Sequence, residues 1–146
     1  MLIITALICT LLVAPNDHKL EKDFFFHHSR GDRVQRMRQY SLEEQYKIFR
    51  YGNDRIEPPD LELANPIAQR GVSAIPFLLR QLKSSTDEFA VRDILLILRA
   101  MVRFKKYDVK RDATLMDVLE KRVSEMKDIG WQAFCREKLD NIKNSP

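Results

Sequence analysis

Apolar side chains recur at intervals of three and four residues through most of the chain after residue 40. This interval places them on one face of an α-helix, whereas a half-buried strand would alternate apolar and polar positions. The clearest stripes are Ile75, Leu78, Leu79 and Leu82, then Leu115, Leu119, Val123 and Met126, then Trp131, Cys135, Leu139 and Ile142. The pattern predicts an all-α fold.

Start and stop signals divide this region into separate helices. Ser41 is followed three residues later by Glu44, which is the spacing of a capping box, and Gly52 is placed to end the helix that begins there. Ser85 and Glu88 have the same capping-box spacing. We therefore expect one helix after Ser41 and another after Ser85.

Pro76 lies within an apolar stripe, where a proline in the helix interior would disrupt the helix. With Ser73 as the N-cap, Pro76 falls in the first turn, where its missing amide hydrogen would have had no intrahelical partner. Asp60 and Asp112 are placed to cap two further helices. These residues predict three more helix starts.

The segment 86–103 carries a wide apolar face, so it needs neighbouring helices on more than one side. Stacking the segments 60–83, 86–103 and 112–143 against each other covers these faces, with the helix at Ser41 closing one end. The sequence thus predicts a single helical-repeat domain over residues 41–146.

A proline early in one helix, followed by an aspartate and a Val-Arg pair near the start of the next, forms a pattern over residues 71–103. Its members are Gly71, Ala74, Ile75, Pro76, Leu78, Leu79, Leu82, Asp87, Val91, Arg92 and Leu98. The pattern resembles one HEAT repeat, although a bulky run at 94–98 replaces the usual small alanines. The resemblance implies a short right-handed α-α superhelix, in which Asp87 supports the turn between helices and Arg92 bonds a neighbouring repeat.

The first residues differ from the rest because no charged side chain occurs before Asp17. The apolar run 2–14 would form a helix of about 20 Å, shorter than the roughly 30 Å hydrocarbon core of a bilayer. It therefore resembles the apolar region of an export signal, although no Lys or Arg precedes it. We expect residues 1–14 to be a signal peptide or membrane-anchoring leader, and the protein to be secreted, periplasmic or envelope-associated. A cytoplasmic protein with a buried first helix is the alternative.

Residues 15–40 are polar and sustain neither a helical nor an alternating period, which predicts a linker or loosely docked arm. His18, His27 and His28 lack Cys or carboxylate partners at metal-ligand spacing, so solvated side chains are favoured over a metal site. The aromatic run 24–26 is expected to pack this arm onto the domain.

The sequence carries no recognisable catalytic or cofactor-binding motif. Residues 41–146 contain no histidine, and no glycine-rich phosphate loop, metal-ligand cluster or Ser-His-Asp set occurs. Of the two cysteines, Cys9 falls in the leader, and Cys135 lies on an apolar stripe as a small buried hydrophobe would. We expect a noncatalytic protein without a cofactor or metal.

Charge indicates one candidate contact surface. The chain is 45% hydrophobic and 32% charged, as in ordinary globular proteins, and its net charge of +4 favours acidic partners or anionic surfaces. Cations concentrate at and after the end of segment 86–103, opposed locally only by Asp108. This basic set consists of Arg99, Arg103, Lys105, Lys106, Lys110 and Arg111. Such residues also complement a helix dipole.

Two functions are consistent with this sequence. The first is a small exported HEAT-like module that binds an unknown acidic protein, with membrane contact through residues 2–14 and no normal access to nucleic acid. The alternative is an intracellular repeat protein that binds nucleic acid through the basic set, with Phe104 and Tyr107 stacking on bases. The fate of the leader distinguishes the two functions.

Overall fold

The computed structural model describes residues 18–146, and every regular element within them is helical. The α-helices are α1 (Lys19–His27), α2 (Arg30–Met37), α3 (Leu42–Arg55), α4 (Ala64–Ala68), α5 (Ile75–Ser84), α6 (Glu88–Arg103), α7 (Ala113–Ser124) and α8 (Ile129–Lys143). Short 3₁₀ turns precede α4, α5 and α7, at Leu61–Leu63, Gly71–Ala74 and Val109–Arg111. The all-α prediction is confirmed for these residues, whereas the predicted leader lies outside them.

The helices after α2 pack as consecutive pairs. Helix α3 contacts α4, α5 contacts α6, and α7 contacts α8. Between pairs, α6 lies between α4 and α8, while α5 contacts α7. Helix α5 pairs with α6, which agrees with the two-helix unit that the resemblance implies for residues 71–103. The expected end helix is different, because α3 pairs with α4 instead of closing one end alone.

Helix α6 is the centre of the core because it contacts helices of all three pairs. Ile94, Leu95, Ile97 and Leu98 are fully buried. Burying one such side chain stabilises a fold by roughly 1.5–3 kcal/mol. The bulky run at 94–98 therefore suits a helix that has neighbours on several sides.

The segment expected to be a linker or loosely docked arm instead forms α1 and α2. Phe24 is 1% exposed and Met37 is 0% exposed, so both belong to the same core as the later helices. Gly52, expected to end α3, lies in its interior, and a Cβ there would come within 2.8 Å of the Phe25 ring. The missing side chain leaves room for this ring, which a search for local periodicity does not detect.

Three helix starts follow the sequence. The Ser41 hydroxyl accepts a bond from the Glu44 amide at 3.3 Å, and the Glu44 carboxylate accepts from the Ser41 amide at 2.9 Å. The Asp112 carboxylate accepts from the Leu115 amide at 3.0 Å. Pro76 lies in the first turn of α5. These three predictions are confirmed.

The second predicted capping box is wrong. Asp87 is the N-cap of α6, and Ser85 instead accepts a bond from the Asp87 amide at 3.1 Å. The Glu88 carboxylate accepts from the Asp128 amide at 3.2 Å, in the connection between α7 and α8. Glu88 therefore joins two helix pairs instead of closing its own helix.

Two other predicted caps have different partners. Asp60 is buried and its carboxylate lies 3.5 Å from the Arg33 guanidinium, with no capping bond to the turn that follows. The N-cap of α5 is Ala74, and the Ser73 hydroxyl donates to the Arg70 carbonyl oxygen at 2.8 Å. Neither side chain caps the helix that was predicted to follow it. Both instead stabilise the segments that connect helices.

Candidate functional site

The turn that ends α6 presents two lysines of the basic set to solvent. Lys105 has a φ of 53°, and the amides of Lys105 and Lys106 donate to the carbonyl oxygens of Val102 at 3.0 Å and Met101 at 2.9 Å. These bonds form a Schellman motif, which usually has glycine at its left-handed position. Both lysine side chains are exposed and make no ion pair within residues 18–146.

The two arginines of the basic set that belong to α6, Arg99 and Arg103, face α4. Arg103 donates to the Asn65 side chain at 2.7 Å, and its guanidinium carbon lies 4.7 Å from the centre of the Phe104 ring. Arg99 lies one helical turn earlier. Together with Arg103 it lines a small hollow between α6 and α4. These two cations therefore lie on the side of α6, apart from the lysines of the turn.

The remaining cations of the basic set bond locally. Lys110 donates to the carbonyl oxygen of Ser145, and the Arg111 guanidinium lies 3.2 Å from the carboxylate of Asp108 in an exposed pair. A second hollow, beside Ser145, is lined by the two lysines of the turn. The structure thus divides the basic set between the side of α6 and the turn that follows it.

The two aromatic residues near this turn are partly buried. Phe104 and Tyr107 both pack against the core, and Arg103 covers the Phe104 ring. The Tyr107 hydroxyl donates to the Asp112 carboxylate at 2.7 Å, and this bond is the main cause of a raised Tyr107 pKa. The rings therefore stabilise the connection between α6 and α7.

The opposite end of α6 holds a buried network of charged residues. Asp93 is 0% exposed and accepts bonds from Arg92 at 2.8 Å, Asn53 at 3.0 Å and Arg50 at 3.2 Å. Burial raises the pKa of Asp93, while the same three partners, Arg92 foremost, favour the carboxylate. The network ties α3 to α6.

Asp87 and Arg92 extend this network. Asp87 caps α6 through the Phe89 amide at 2.9 Å and pairs with Arg50 of α3. Arg92 donates to Asp54 at 2.8 Å, and its guanidinium carbon lies 4.7 Å from the centre of the Phe89 ring. Both residues therefore support the scaffold, which is the role that the resemblance implies.

A groove of about 680 Å³ lies along the exposed face of α3. The first turn of α1 and the side of α5 form its walls, and α3 forms its floor. Its lining includes Tyr46, Lys47, Tyr51, Arg55 and Phe77. We call this feature the α3 groove; it shares no residue with the basic set.

Sequence reasoning missed both the network and the groove. Asp93 was detectable, because it is a charged residue one position before the apolar run 94–98. Its partners Arg50 and Asn53 lie about forty positions earlier and carry no local signal. The groove also depends on α1, which the polarity of residues 15–40 concealed.

The histidines of α1 and its flanks have separate surroundings. The His18 ring lies 3.4 Å from the Glu21 carboxylate and 5.5 Å from Tyr51, whereas His28 contacts Phe24. Within residues 18–146, no three His, Cys, Asp or Glu side chains are arranged to hold a metal ion. In that same range, no helix has the length and apolar character needed to span a bilayer.

No family model matches the chain, and no curated protein or solved structure is found as a match. The two candidate binding regions are therefore defined by their own geometry. They are the exposed lysines at the end of α6 and the α3 groove.

Proposed function

We propose that the chain is a small noncatalytic protein-interaction module, built as a HEAT-like stack of helix pairs that follows a short right-handed α-α superhelix. The pairwise packing of α3 to α8 supports this reading. So do Asp87, which caps α6, and Arg92, which bonds the neighbouring α3.

The basic set supplies the proposed contact surface, and the exposure of Lys105 and Lys106 is the observation that carries the proposal. The Schellman turn holds both side chains in solvent, and neither makes an ion pair in the described part of the chain. Exposed cations attract acidic surfaces and increase the rate of encounter. We infer that the partner is a protein with an acidic surface.

Charge reversal in the turn tests this proposal. A K105E/K106E variant is compared with wild type and with a K83E/K127E control, which makes the same change in net charge at two exposed lysines elsewhere. Proteins captured from an envelope extract are identified by mass spectrometry. We expect the control to retain the acidic proteins captured by wild type and K105E/K106E to lose them, with capture falling as salt rises. Equal recovery by all three proteins would contradict the proposal.

We further propose that residues 1–14 direct export to the envelope or medium, or anchor the protein there. Mass spectrometry of the mature N-terminus in fractionated cells tests this location. A processed chain outside the cytosol, or an unprocessed chain in the membrane fraction, is the expected result. Recovery of the unprocessed chain from the cytosol with bound nucleic acid would favour the intracellular alternative.

A further inference from the structure

The small hollow between α4 and α6, which we call the α4–α6 hollow, has an apolar floor. Ala64 and Ala100 form its deepest part and are 3% and 5% exposed. Leu61 and Leu96 complete the apolar lining, and Leu61 is 53% exposed. The hollow has a volume of about 200 Å³. Because a cavity of about 150 Å³ holds a benzene molecule, this hollow can accept about six to eight non-hydrogen atoms.

Two arginines line the same hollow at its exposed side. Arg99 and Arg103 are four positions apart in α6, so their side chains lie on one face of the helix. Like charges at this spacing destabilise a helix slightly, and an anion bound between them would relieve the repulsion. No Asp or Glu of the described residues lines the hollow. The charge of the lining therefore favours an anionic ligand.

The donors of these arginines are only partly used within the protein. Arg103 donates to the Asn65 side chain at 2.7 Å, and this bond orients a guanidinium whose five N–H groups leave further donors available. Arg99 makes no ion pair within residues 18–146. The Glu137 carboxylate of α8 pairs with Lys138 at 2.6 Å. That bond is the main cause of the lowered Glu137 pKa, to which Arg99 contributes least.

A carboxylate on an aliphatic chain matches this combination of donors and apolar side chains. Planar guanidiniums bind carboxylates and phosphates through paired N–H bonds. A phosphate ion has no apolar part to cover Leu61 and Leu96, so it would leave the floor in contact with water. An aliphatic carboxylate places its two oxygens at the arginines and its carbon atoms on the floor, which removes apolar surface from water.

We propose that the α4–α6 hollow binds a carboxylate carried by a short aliphatic chain. This chemistry occurs in free short-chain carboxylic acids and at the C-terminal leucine, isoleucine or valine of a protein. The inference goes beyond the proposed function because it assigns a ligand that can be tested without a protein partner. It rests on that function only in using Arg99 and Arg103, which belong to the basic set.

Titration of the ¹⁵N-labelled protein with 4-methylpentanoate tests the inference, because this acid has the carbon skeleton of leucine. NMR shifts of the Asn65 side-chain amide and the Ala100 backbone amide measure binding. We expect a dissociation constant on the order of 1 mM for a ligand of this size. The uncharged 4-methylpentanamide should bind at least about tenfold more weakly, because it forms no charge-assisted hydrogen bond. Inorganic phosphate at equal concentration should not displace the acid.

Arg99→Gln is the decisive variant, since Arg99 has no ion pair in the described chain whose loss could disturb the fold. It should bind 4-methylpentanoate at least about threefold more weakly than wild type. Lys83→Gln makes the same change in net charge at an exposed position of α5 and should bind as wild type does. The inference is overturned if wild type does not bind the acid, if the amide binds equally, if phosphate displaces the acid, or if Arg99→Gln binds as tightly as wild type.

Acetyl-Gly-Gly-Leu with a free or an amidated C-terminus identifies the source of the carboxylate. Tighter binding of the free tripeptide than of 4-methylpentanoate would assign the ligand to a protein C-terminus, and weaker binding would assign it to a free acid. The amidated tripeptide should not bind. Failure of this inference is distinguishable from failure of the proposed function, because K105E/K106E should lose the acidic proteins and still bind 4-methylpentanoate as wild type does.

Discussion

The two ends of α6 use charged residues in opposite ways. At the N-terminal end, Asp93 and Arg92 are buried, and each bonds more than one side chain. Just beyond the C-terminal end, Lys105 and Lys106 are exposed and have no ion-pair partner in the described chain. Charge at one end stabilises the fold, and charge at the other is available to a partner.

This difference follows from the position of each end in the stack. The first turns of α6 face α3 and the start of α8, so charged groups there must be neutralised by neighbours or raise the free energy of the fold. The last turn opens into the connection to α7, where water solvates the ammonium groups. Whether a charged residue of this chain stabilises the fold or is available to a partner can therefore be decided only from its neighbours in the structure.

The largest expected effect is the loss of Asp93. An Asp93→Ala variant leaves the guanidiniums of Arg92 and Arg50 without their buried acceptor, which costs about 3–5 kcal/mol when one member of a buried pair is removed. The free energy of unfolding in urea measures this loss. Asp108→Ala is the matched control at the other end, since it removes the exposed partner of Arg111 and should cost under about 1 kcal/mol. Similar losses of unfolding free energy in the two variants would contradict the difference proposed between the two ends of α6.

The next effect concerns the turn at the C-terminal end. Gly71 has a φ of 60°, and a Cβ there would lie 2.9 Å from the Lys106 carbonyl oxygen. Gly71→Ala should cost about 1–2 kcal/mol through its left-handed backbone, with an added cost for moving this carbonyl. Thermal unfolding measures the change.

A second glycine provides the control for this substitution. Gly31 lies in α2, and a Cβ there would meet no atom within 4 Å. Gly31→Ala should therefore stabilise the protein, by up to about 1 kcal/mol, because alanine favours a helix. A destabilised Gly31→Ala together with a neutral Gly71→Ala would show that the turn does not constrain position 71.

Cys135 can be used to test whether water is excluded from the packing near the N-terminal end of α6. Its side chain is fully buried, and burial raises the pKa of the thiol to about 11, with Arg92 lowering it and Asp93 raising it less strongly. A raised pKa stabilises the fold below the ordinary value of 9.0, and this contribution is lost as pH rises from there through about 11. Urea midpoints of wild type should therefore fall more steeply across this range than those of Cys135→Ala.

Thiol alkylation tests the burial of Cys135 independently. The peptide that contains Cys135 should resist iodoacetamide in the native protein and react once the chain is unfolded. Mass spectrometry distinguishes this peptide from the one that contains Cys9. Rapid native labelling of Cys135 would show that water reaches this end of the helix.

Local signals predicted much of the fold because their partners are close in sequence. Ser41 and Glu44 bond each other across one helical turn. Pro76 is compatible with α5 simply because it lies in the first turn of that helix. Helices α1 and α2 escaped prediction because polar side chains surround their few buried residues. Phe25 fits beside Gly52, about one fifth of the described chain away, and no local period reveals that contact.

The candidate site was only partly predictable for the same reason. Their positions after the predicted helix 86–103 identified Lys105 and Lys106 as cations near a helix end, and the structure leaves both exposed. It did not show that Arg103 would bond Asn65 or that Lys110 would bond Ser145, since such partners are set by tertiary packing. The α3 groove is lined by residues of α1, α3 and α5, so it could not be recognised before the packing of these three helices was known.

The smallest expected effect tests whether the turn favours function over stability. Lys105 adopts a left-handed conformation that glycine occupies without strain, so Lys105→Gly should raise stability by about 1 kcal/mol or less. The same change removes one exposed charge and should weaken capture of the acidic partner. Lys106→Gly is the control, because it removes an equal charge where φ is not positive and should lower stability slightly. Thermal unfolding and the envelope pull-down together give the result. If Lys105→Gly gains stability and captures the partner as well as wild type does, the lysine at this position has no part in binding.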